Sequence, residues 1–550
     1  MKKIYLIPLL LLLFSVTPAL AQNRTTVTLI HFSDYHSHAV PFYGEGEANT
    51  AGIARLIAYL KPQANNSNTL IFSGGDTMNL GSPAWSDKYR CAEWSWLNGM
   101  VDAMAFGNHD ADYGSDVFAQ CRSQINYPIL ASNVLSTDGQ PLFQYEGKTY
   151  QVFEVDSHKI GVFAVAGPDF VRLIKPATMP APNVTFADRV ATAQAVVKTL
   201  REQEQVEAVV LIGHALYEDD IALAQAVPGI DLIFGTHSHR KEELGQIPNT
   251  STYYISPFQY LTYLSQVELT FSSGDLSAVN GKLVRLSSDL PEDPDIAQQV
   301  AQMQADLQAD PQYAPLYQPI SEAAMELSTE GQFTGEALLG NLVMDVFRST
   351  AQAHLALSTS SSFREPIPPG TILEETLRTA MPYTNKILVF DMTGAQVQEL
   401  LNYSVSRSGS DFFSQVSGVR FNIVDGKASN IQLLTDPANL AAGYAPLDPA
   451  ASYKVATSDF QGLIAGGYKE IFAPASHIDT GLDVRTEVRA YLQNHNPVSA
   501  QLDGRITQGA PQATLPATGG ELAGPWSVML PGLALVSLGL LLRRRVAPSA

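Results

Sequence analysis

The sequence predicts an α/β fold for the N-terminal half of the chain. Short β-rich runs recur between residues 27 and about 270, and polar loops and helical stretches separate them. The clearest runs cover residues 27–30, 70–72, 103–106, 208–212 and 231–234. Between the first two runs, residues 52–60 place apolar side chains at helical spacing. Strands that alternate with helices indicate an α/β domain, whose functional groups gather where strands end and loops begin.

Length and composition indicate a folded, acidic, multidomain protein. The chain has 550 residues, and at roughly 100–200 residues per domain two or three domains are expected. Its formal charge of −20 argues against a partner that is a nucleic-acid polymer, because binding a polyanion requires an excess of Lys and Arg. Two cysteines are too few for a disulfide scaffold or a four-thiolate zinc site.

A connector and a second domain are expected after the first domain, which we assign to residues 22–290. The connector is assigned to residues 291–330. Its first part, to about residue 318, is rich in Ala, Gln, Asp and Pro and contains one predicted helix between prolines. Residues 331–508 alternate helical stretches with β-rich runs such as 386–390, which predicts the second domain. Residues 509–514 form a short polar linker.

The first 21 residues are typical of a secretory signal peptide. Lys2 and Lys3 precede an apolar run over residues 4–13, and Ala19 and Ala21 provide a small-residue cleavage site. An uncleaved N-terminal anchor is the alternative, although the apolar run is short for a membrane span. In an oxidising compartment Cys91 and Cys121 could form a disulfide, and two buried free thiols are the alternative.

Residues 515–550 resemble a Gram-positive-type sorting signal. An LPxTG pentapeptide at 515–519, an apolar stretch over about 526–542 and three arginines at 543–545 follow in order. The apolar stretch and the arginines would hold the chain in the membrane, with the arginines on the cytoplasmic side. The resemblance implies that a sortase cuts after Thr518 and attaches the protein to the cell envelope. A plain C-terminal membrane anchor is the alternative, and both place the protein outside the membrane.

Five loops, each directly after one of the β-rich runs, carry side chains that bind metal ions. They are Ser33-Asp34-Tyr35-His36, Gly74-Gly75-Asp76, Gly107-Asn108-His109-Asp110, Gly213-His214 and Gly235-Thr236-His237-Ser238-His239. A lone Asp or His after a strand is usually a cap or turn residue. Five such loops at equivalent positions instead predict a cluster at one edge of a sheet, which would need cations to offset its charges. Carboxylate, imidazole and amide donors together suit Mn, Fe, Zn or Co.

This series of motifs resembles the five blocks of the calcineurin-like metallophosphoesterases. The details point to the secreted 5′-nucleotidase family, which also contains UDP-sugar hydrolases and 2′,3′-cyclic-nucleotide phosphodiesterases. The resemblance extends from residue 27 to residue 508. It implies a four-layer α/β/β/α sandwich, followed by a smaller α+β domain that binds the nucleoside. It also implies two divalent metal ions.

The resemblance implies a role for each motif residue. The metal ligands would be Asp34, His36, Asp76 and His239 for one ion, and Asp76, Asn108, His214 and His237 for the other, with Asp76 bridging. Two such ions can share a hydroxide and clamp a phosphoryl group for in-line attack. His109 would stabilise or protonate the leaving oxygen, and Asp112 would orient and charge that imidazole. Asn108 would also contact the substrate. From their positions in the sequence, His31 is expected to be a packed strand residue and His38 an exposed loop residue, with an approach of His38 to the site as the alternative.

Substrate contacts are expected from the second domain. Residues 361–370 are similar to the family's G-G-x-R-x-x-I-x-x-G loop, and Arg364 would bind phosphate oxygens through its guanidinium. Asn385 ends a segment that resembles the family's P-F-x-N, and Arg407 is a second basic candidate, with a solvated helix-end arginine as the alternative. Phe413 and Phe460 would stack on a base from both sides. Core phenylalanines are the alternative for both, and Phe412 could replace Phe413.

The resemblance therefore implies an exported hydrolase that releases phosphate from nucleotides. Three departures from the family pattern leave other phosphoester or sulfur-ester specificities open. Residues 465–469 lack the aspartate of the family's G-G-D-G-Y, serines replace the glycines before Arg364, and His239 stands where nucleotidases often have an amide. UDP-sugar hydrolysis, cyclic phosphodiester hydrolysis and thiosulfohydrolase-like activity are the alternatives. A surface binding or adhesion protein without catalysis is the alternative from another class.

Overall fold

The computed structural model of the chain describes residues 24–439 and 442–509. The signal peptide and the sorting signal that the sequence predicts lie outside these residues. Every helix within the described ranges is too short or too polar to cross a membrane.

Two six-stranded sheets form the N-terminal domain. The first sheet contains, in spatial order, Asp275–Arg285, Tyr263–Ser272, Arg24–Phe32, Thr69–Ser73, Ala103–Ala105 and Ile129–Leu130. The second contains Lys241–Gln246, Tyr253–Pro257, Leu232–Phe234, Ala208–Leu211, His158–Phe163 and Tyr150–Val155. Within each sheet, the central strands run parallel to one another. All five predicted β-rich runs form strands.

Strand pleating separates the apolar side chains into layers. Leu29 and Leu70 pack between the two sheets, whereas their neighbours Ile30 and Ile71 pack on the outer face of the first sheet. That face is covered by the helices Ile53–Ala64, Ala84–Tyr89, Ala92–Trp96 and Ser115–Arg122. The helices Arg189–Glu202 and Tyr217–Ala226 cover the outer face of the second sheet. The predicted four-layer α/β/β/α sandwich is confirmed.

Shorter elements complete the N-terminal domain. They are the paired strands Phe42–Gly44 and Glu47–Thr50, the paired strands Val134–Leu135 and Thr185–Phe186, the helix Phe170–Leu173 and the 3-10 turn Pro176–Thr178.

The predicted connector helix spans Pro294–Ala309 and packs on the N-terminal domain. Asp293 caps it, since its carboxylate accepts a hydrogen bond from the amide of Ile296 at 3.1 Å. After the 3-10 turn Ala314–Tyr317, the strand Pro319–Ala323 pairs with Gly370–Leu373. The backbone therefore joins the second domain at about residue 319, inside the stretch that the sequence assigns to the connector.

The C-terminal domain mixes helices and strands, as expected. Its five-stranded sheet has the order Ser414–Ser417, Leu355–Thr359, Ser452–Ser458, Lys386–Thr393 and Ser476–Asp483. A four-stranded sheet has the order Tyr444–Pro446, Lys427–Leu434, Val419–Val424 and Ile506–Gln508. The helical elements are Leu338–Ala351, Ser360–Ser362, Glu374–Ala380, Gly394–Ser406, Asp459–Leu463, Tyr468–Phe472 and Val484–Asn494.

Cys91 and Cys121 form a disulfide in the structure. Both residues are buried in the core of the N-terminal domain. Cys91 directly precedes the helix Ala92–Trp96, and Cys121 lies within the helix Ser115–Arg122. The chain between the two cysteines contains the third predicted metal loop, with Asn108 and His109. The covalent bond therefore closes a loop around part of the candidate site.

We predict that replacing both cysteines with serine destabilises the protein by about 3–4 kcal/mol, because the unfolded chain loses a cross-link between residues 30 positions apart. Urea denaturation of the variant and of wild-type protein would measure the difference. Wild-type protein treated with a reductant is the control and should lose a similar amount. An unchanged free energy of unfolding in both would contradict the prediction.

Candidate metal centre

The five predicted loops meet at one end of the N-terminal sandwich. Three of the loops follow strands of the first sheet and two follow strands of the second. The expectation of a single sheet edge is therefore corrected, because the cluster lies where the edges of two stacked sheets come together. The packing of the two sheets, and not strand order within one sheet, brings the two groups of loops together.

Donor side chains from these loops form three overlapping groups. The groups are Asp34, His36 and His239; Asp76, His214 and His237; and His36, Asp76 and His109, and the donor atoms within each group lie within 4.8 Å of one another. Nε2 of His239 lies 3.4 Å from Oδ1 of Asp34 and 3.1 Å from Nε2 of His36. Nε2 of His214 lies 3.1 Å from Oδ2 of Asp76. The first two groups contain residues that the sequence assigns to two different metal ions.

Oδ1 of Asn108 is buried and has no hydrogen-bond partner among the described residues. Oδ2 of Asp76 and Nε2 of His214 are also buried, and they face each other at 3.1 Å. A buried polar atom without a partner is costly. A carboxylate oxygen, an amide oxygen and an imidazole nitrogen together suit a borderline divalent cation. The residues therefore fit the metal that their types predict.

Most of the predicted ligands sit in an unusual backbone conformation. Asp34, His36, Asp76, His237 and His239 have φ angles of 51°, 48°, 53°, 55° and 49°. Left-handed φ values are costly for residues other than glycine, and persist where the surrounding structure imposes them. Here the loops support one another, since the amides of Asp34 and His36 donate to the carbonyls of Gly75 and Asp76 at 3.1 and 2.9 Å.

Gly107 permits the close approach of the second and third loops. A Cβ atom at this position would lie 2.2 Å from Oδ1 of Asp76 and 2.3 Å from its backbone nitrogen. Glycine is therefore required here, because a side chain would collide with the carboxylate and the backbone of Asp76.

Asp110 braces the same two loops, a role that the sequence analysis did not assign. Its carboxylate accepts hydrogen bonds from the amides of Gly107, Asp76 and Thr77 at 2.8, 3.1 and 2.7 Å. Burial, together with the charge of Asp76, raises the pKa of Asp110 to about 7. Its position directly after Asn108 and His109 is the only signal in the sequence.

Asp169 is a second functional candidate that the sequence analysis missed. Its Oδ2 lies 2.9 Å from Nε2 of His237, so the Nδ1 atom of that imidazole remains for a cation. A carboxylate on the distal nitrogen fixes the tautomer and orientation of a metal-binding histidine. The signal was a sixth loop of the same kind, since Gly167 and Asp169 follow the strand His158–Phe163.

His109 and Asp112 form the predicted pair. Nδ1 of His109 lies 2.7 Å from Oδ2 of Asp112, and the amide of His109 donates to Oδ1 of Asp76 at 2.8 Å. Burial alone would lower the pKa of His109, but the carboxylates of Asp112 and Asp76 outweigh it and raise that pKa to about 10. The imidazole is therefore held in its charged form near neutral pH.

The two domains share a cavity of about 330 Å³ beside the cluster. The N-terminal domain contributes His36, His109, Asp112 and Lys175, and the C-terminal domain contributes Arg364 and Tyr383. Nη1 of Arg364 lies 3.0 Å from Nδ1 of His239, and its Nη2 donates to the hydroxyl of Tyr383 at 3.0 Å. The structure thus places Arg364 against the metal cluster.

His38 does not lie on an exposed loop, and that expectation is wrong. The side chain is buried and stacks on Tyr260 with ring centroids 3.8 Å apart. Its Nε2 lies 2.6 Å from Oε1 of Glu365 in the C-terminal domain. The C-terminal domain covers this loop, which the local sequence does not reveal.

His31 is a packed strand residue, as expected. It stacks on Phe234 of the second sheet with ring centroids 4.6 Å apart. Neither ring nitrogen has a hydrogen-bond partner within the described part of the chain. Burial lowers the pKa of His31 to about 3, so the ring is neutral.

The predicted stacking role of Phe413 is wrong for this structure. Its side chain is 0% exposed and lies in the apolar core of the C-terminal domain, so it offers no face to a ligand. Phe412 is partly exposed instead, and the guanidinium carbon of Arg407 lies 5.7 Å from its ring centroid. Arg407 and Phe412 line a narrow crevice between the domains. Phe460 is partly buried against the same core.

Asn385 lies apart from the shared cavity. Its backbone carbonyl accepts a hydrogen bond from the amide of Val484 at 2.9 Å. It lines a separate small crevice within the C-terminal domain, together with Ser362 and Ser458.

Family models match both domains. Residues 27–241 match the calcineurin-like phosphoesterase model, and residues 319–473 match the 5′-nucleotidase C-terminal domain model. The chain therefore contains a calcineurin-like phosphoesterase domain followed by a 5′-nucleotidase C-terminal domain. Both parts of the family resemblance that the motifs indicate are thereby confirmed, and this metallophosphoesterase core carries the donor cluster described above.

Known proteins share this arrangement. The chain is 24% identical to the trifunctional nucleotide phosphoesterase protein YfkN of Bacillus subtilis, over 88% of this chain but 35% of that protein, so it spans about a third of YfkN. A 5′-nucleotidase precursor of Thermus thermophilus superposes with a TM-score of 0.69 at 25% identity, covering 88% of this chain and 99% of that one. The Thermus thermophilus sulfate thiohydrolase SoxB shares the fold, with a TM-score of 0.67 at 19% identity and coverage of 89% and 98%.

We predict that Asp76→Ala lowers the metal content of the purified metallophosphoesterase to one ion or fewer per chain. The carboxylate lies in two of the three donor groups, so its removal weakens both. Elemental analysis after dialysis against Mn²⁺ would measure the change, and Asp138→Ala, at an exposed loop position, is the control. An unchanged metal content in Asp76→Ala would refute the role of this carboxylate.

We also predict that Asp169→Asn weakens metal binding about 10- to 100-fold, because an amide holds the imidazole of His237 less firmly. Competition with a chelator would give the dissociation constant of the bound metal. Asp188→Asn, at a helix cap elsewhere in the domain, should leave that constant unchanged. Equal constants in Asp169→Asn and wild type would contradict the positioning role.

Proposed function

We propose that this protein is a metal-dependent phosphoric ester hydrolase that releases phosphate from nucleotides. The single observation that carries the proposal is the convergence of metal-binding side chains. Asp76, His214 and His237 place donor atoms within 4.8 Å of one another, and the buried Oδ1 of Asn108 has no hydrogen-bond partner among the described residues. These residues come from four loops on two different sheets. An amide oxygen, a carboxylate and two imidazoles together suit a divalent cation.

The metal ligands would be the seven residues that the motifs indicate. They are Asp34, His36, Asp76, Asn108, His214, His237 and His239, and they would hold two divalent ions. Bound divalent ions supply an activated water and neutralise the charge of a phosphoryl group. Asp110 and Asp169 keep the loops and His237 in place for this task.

Two residues of the chain act on the phosphoryl group and the leaving group. His109 is held charged by Asp112, so its imidazolium can donate a proton to the leaving oxygen. Arg364 presents its guanidinium to the same cavity and would bind phosphoryl oxygens. Together with Lys175, these groups give an acidic protein the local positive charge that an anionic substrate requires.

A nucleotide substrate is supported by the C-terminal domain and by the printed names of relatives. Residues 319–473 match a domain model that is named for 5′-nucleotidases. YfkN is named a nucleotide phosphoesterase. The Thermus thermophilus protein with the TM-score of 0.69 is named a 5′-nucleotidase precursor. Arg407, Phe412 and Phe460 are the residues that we propose for the base, and Asn385 is retained as a further candidate from its sequence motif.

We further propose that the protein is exported and attached to the cell envelope by a sortase. The basic and apolar start of the chain, the LPxTG pentapeptide and the arginines near its end support this. The Cys91–Cys121 disulfide is a second argument, because disulfides persist in oxidising compartments.

Phosphate release from a substrate panel would test the proposed function. Protein stripped of metal and then restored with Mn²⁺ would be assayed with AMP, UDP-glucose, 2′,3′-cyclic AMP and an aryl phosphate. We expect metal-dependent release that is fastest with AMP. Faster turnover of UDP-glucose or of the cyclic nucleotide would reassign the specificity, and no metal-dependent release at all would favour a surface binding protein.

We predict that His109→Ala keeps its metal but loses about 10²- to 10⁴-fold in kcat, the usual contribution of a general acid. Aryl phosphates with good leaving groups should lose less activity than AMP, because their leaving oxygens need no proton. The metal content of the variant serves as the control. A uniform loss across leaving groups would argue against proton donation by this imidazole.

A further inference from the structure

A second cavity lies between the domains, on the far side of the His38–Glu365 pair. Its volume is about 220 Å³, and His38, Glu365 and Thr379 line both this cavity and the catalytic one. The paired side chains of His38 and Glu365, 2.6 Å apart, therefore form part of the wall between the two. We call the second space the aromatic cavity.

The aromatic cavity is built from all three parts of the chain. The N-terminal domain contributes Phe42, Tyr43 and Trp85, the connector contributes Gln304 and Tyr317, and the C-terminal domain contributes Pro366, Pro368 and Glu375. The polar tips of Trp85 and Tyr43 are bonded elsewhere, to Glu93 at 2.7 Å and to Glu326 at 3.0 Å. These two residues therefore offer apolar ring surface to the cavity.

Glu375 lines this cavity with a carboxylate that is only partly satisfied by hydrogen bonds. Its side chain is only 8% exposed, and Oε1 accepts a hydrogen bond from the amide of Ala84 at 2.5 Å. Its Oε2 is buried and has no donor among the described residues. A buried carboxylate with an open acceptor position requires a donor, and preferably a positively charged one.

No basic side chain of the described structure donates a hydrogen bond to Oε2 of Glu375. None of the residues that line the aromatic cavity is a lysine or an arginine. Arg378, on the same helix, acts on Glu375 through its charge alone, and its Nη2 lies 3.8 Å from Oδ2 of Asp87. Glu365 is already paired with His38, so Glu375 is the carboxylate with an open acceptor position. A carboxylate beside several aromatic rings disfavours an anion and favours an organic cation.

We propose that the aromatic cavity binds a primary alkylammonium ion, with the ammonium group on Glu375 and the alkyl chain among Phe42, Trp85 and Tyr317. An ammonium supplies both the N–H donor and the charge that Oε2 lacks. The rings attract the cation and cover its apolar chain. Because the lining residues come from both domains, occupancy stabilises the domain arrangement described here. The site does not depend on phosphate hydrolysis.

Calorimetry with butylammonium chloride would test the site on the full-length protein. 1-Butanol, which has similar size and no charge, is the matched ligand control. We expect butylammonium to bind at least tenfold more tightly than 1-butanol. Equal binding of both ligands, or binding of neither, would overturn the proposal.

Two variants locate the binding site. Glu375→Gln keeps the shape of the side chain and removes its charge, so it should weaken butylammonium binding at least tenfold. Glu374→Gln is the matched control, because Glu374 pairs with Arg489 at 2.8 Å and does not line the cavity. Equal effects of the two variants would overturn the assignment. A third outcome would reassign the cavity as a nucleoside site. In that case the wild-type protein would bind adenosine and not butylammonium, and Glu375→Gln, but not Glu374→Gln, would lose adenosine binding.

A folding defect in Glu375→Gln would leave the test intact, because the comparison of butylammonium with 1-butanol uses wild-type protein. Tyr317→Ala is a further variant that removes aromatic surface and should weaken butylammonium binding. Unchanged binding in Tyr317→Ala would exclude the proposed location. Phosphate release from AMP is measured separately, so failure of this proposal and failure of the proposed hydrolase are distinguishable.

Discussion

Burial of several carboxylates and imidazoles in one cluster is the constraint on which the rest of the structure depends. Asp34 and Asp76 are almost completely shielded from solvent, and imidazole nitrogens lie 3.1–3.9 Å from their carboxylate oxygens. Like charges at low dielectric repel one another strongly, so the two carboxylates need positive charge beside them, from protonated imidazoles or from metal ions. The backbone of these loops therefore keeps the metal-binding atoms at fixed positions, although a lower-energy loop conformation would separate them.

Backbone features of the loops follow from this requirement. His36 and His239 have left-handed backbone angles, a conformation that an unconstrained loop would avoid. Gly107 lets a neighbouring backbone pass close to Asp76, and Asp110 ties the same two loops together through three amide hydrogen bonds. The cost of this local strain is offset by the packed four-layer sandwich beneath the loops.

One short segment of the C-terminal domain completes the site. Arg364 contacts His239, and its neighbour Glu365 contacts His38. Adjacent residues of opposite charge thus meet two loops of the N-terminal domain at the same time. The catalytic cavity and the aromatic cavity lie on either side of this contact, so the domain interface and the site form one physical unit.

The sequence by itself determined the order of strands and helices and the types of donor residue after each strand. Strand–loop alternation and local turn chemistry are short-range properties, and they also located the connector helix. The pairing of His109 with Asp112 came from the resemblance to the family motifs. The family motifs added the four-layer arrangement and placed Arg364 near the metal cluster.

Only the tertiary structure decided which long-range neighbours each residue has. Phe413 is a core residue because apolar side chains from distant segments of the C-terminal domain enclose it, and His38 is buried because the C-terminal domain contacts its loop. Asp169 reaches His237 through the packing of separate loops, and Glu375 is left with an open acceptor by the fit of two domains. Such contacts depend on how distant segments pack, which local sequence patterns do not encode.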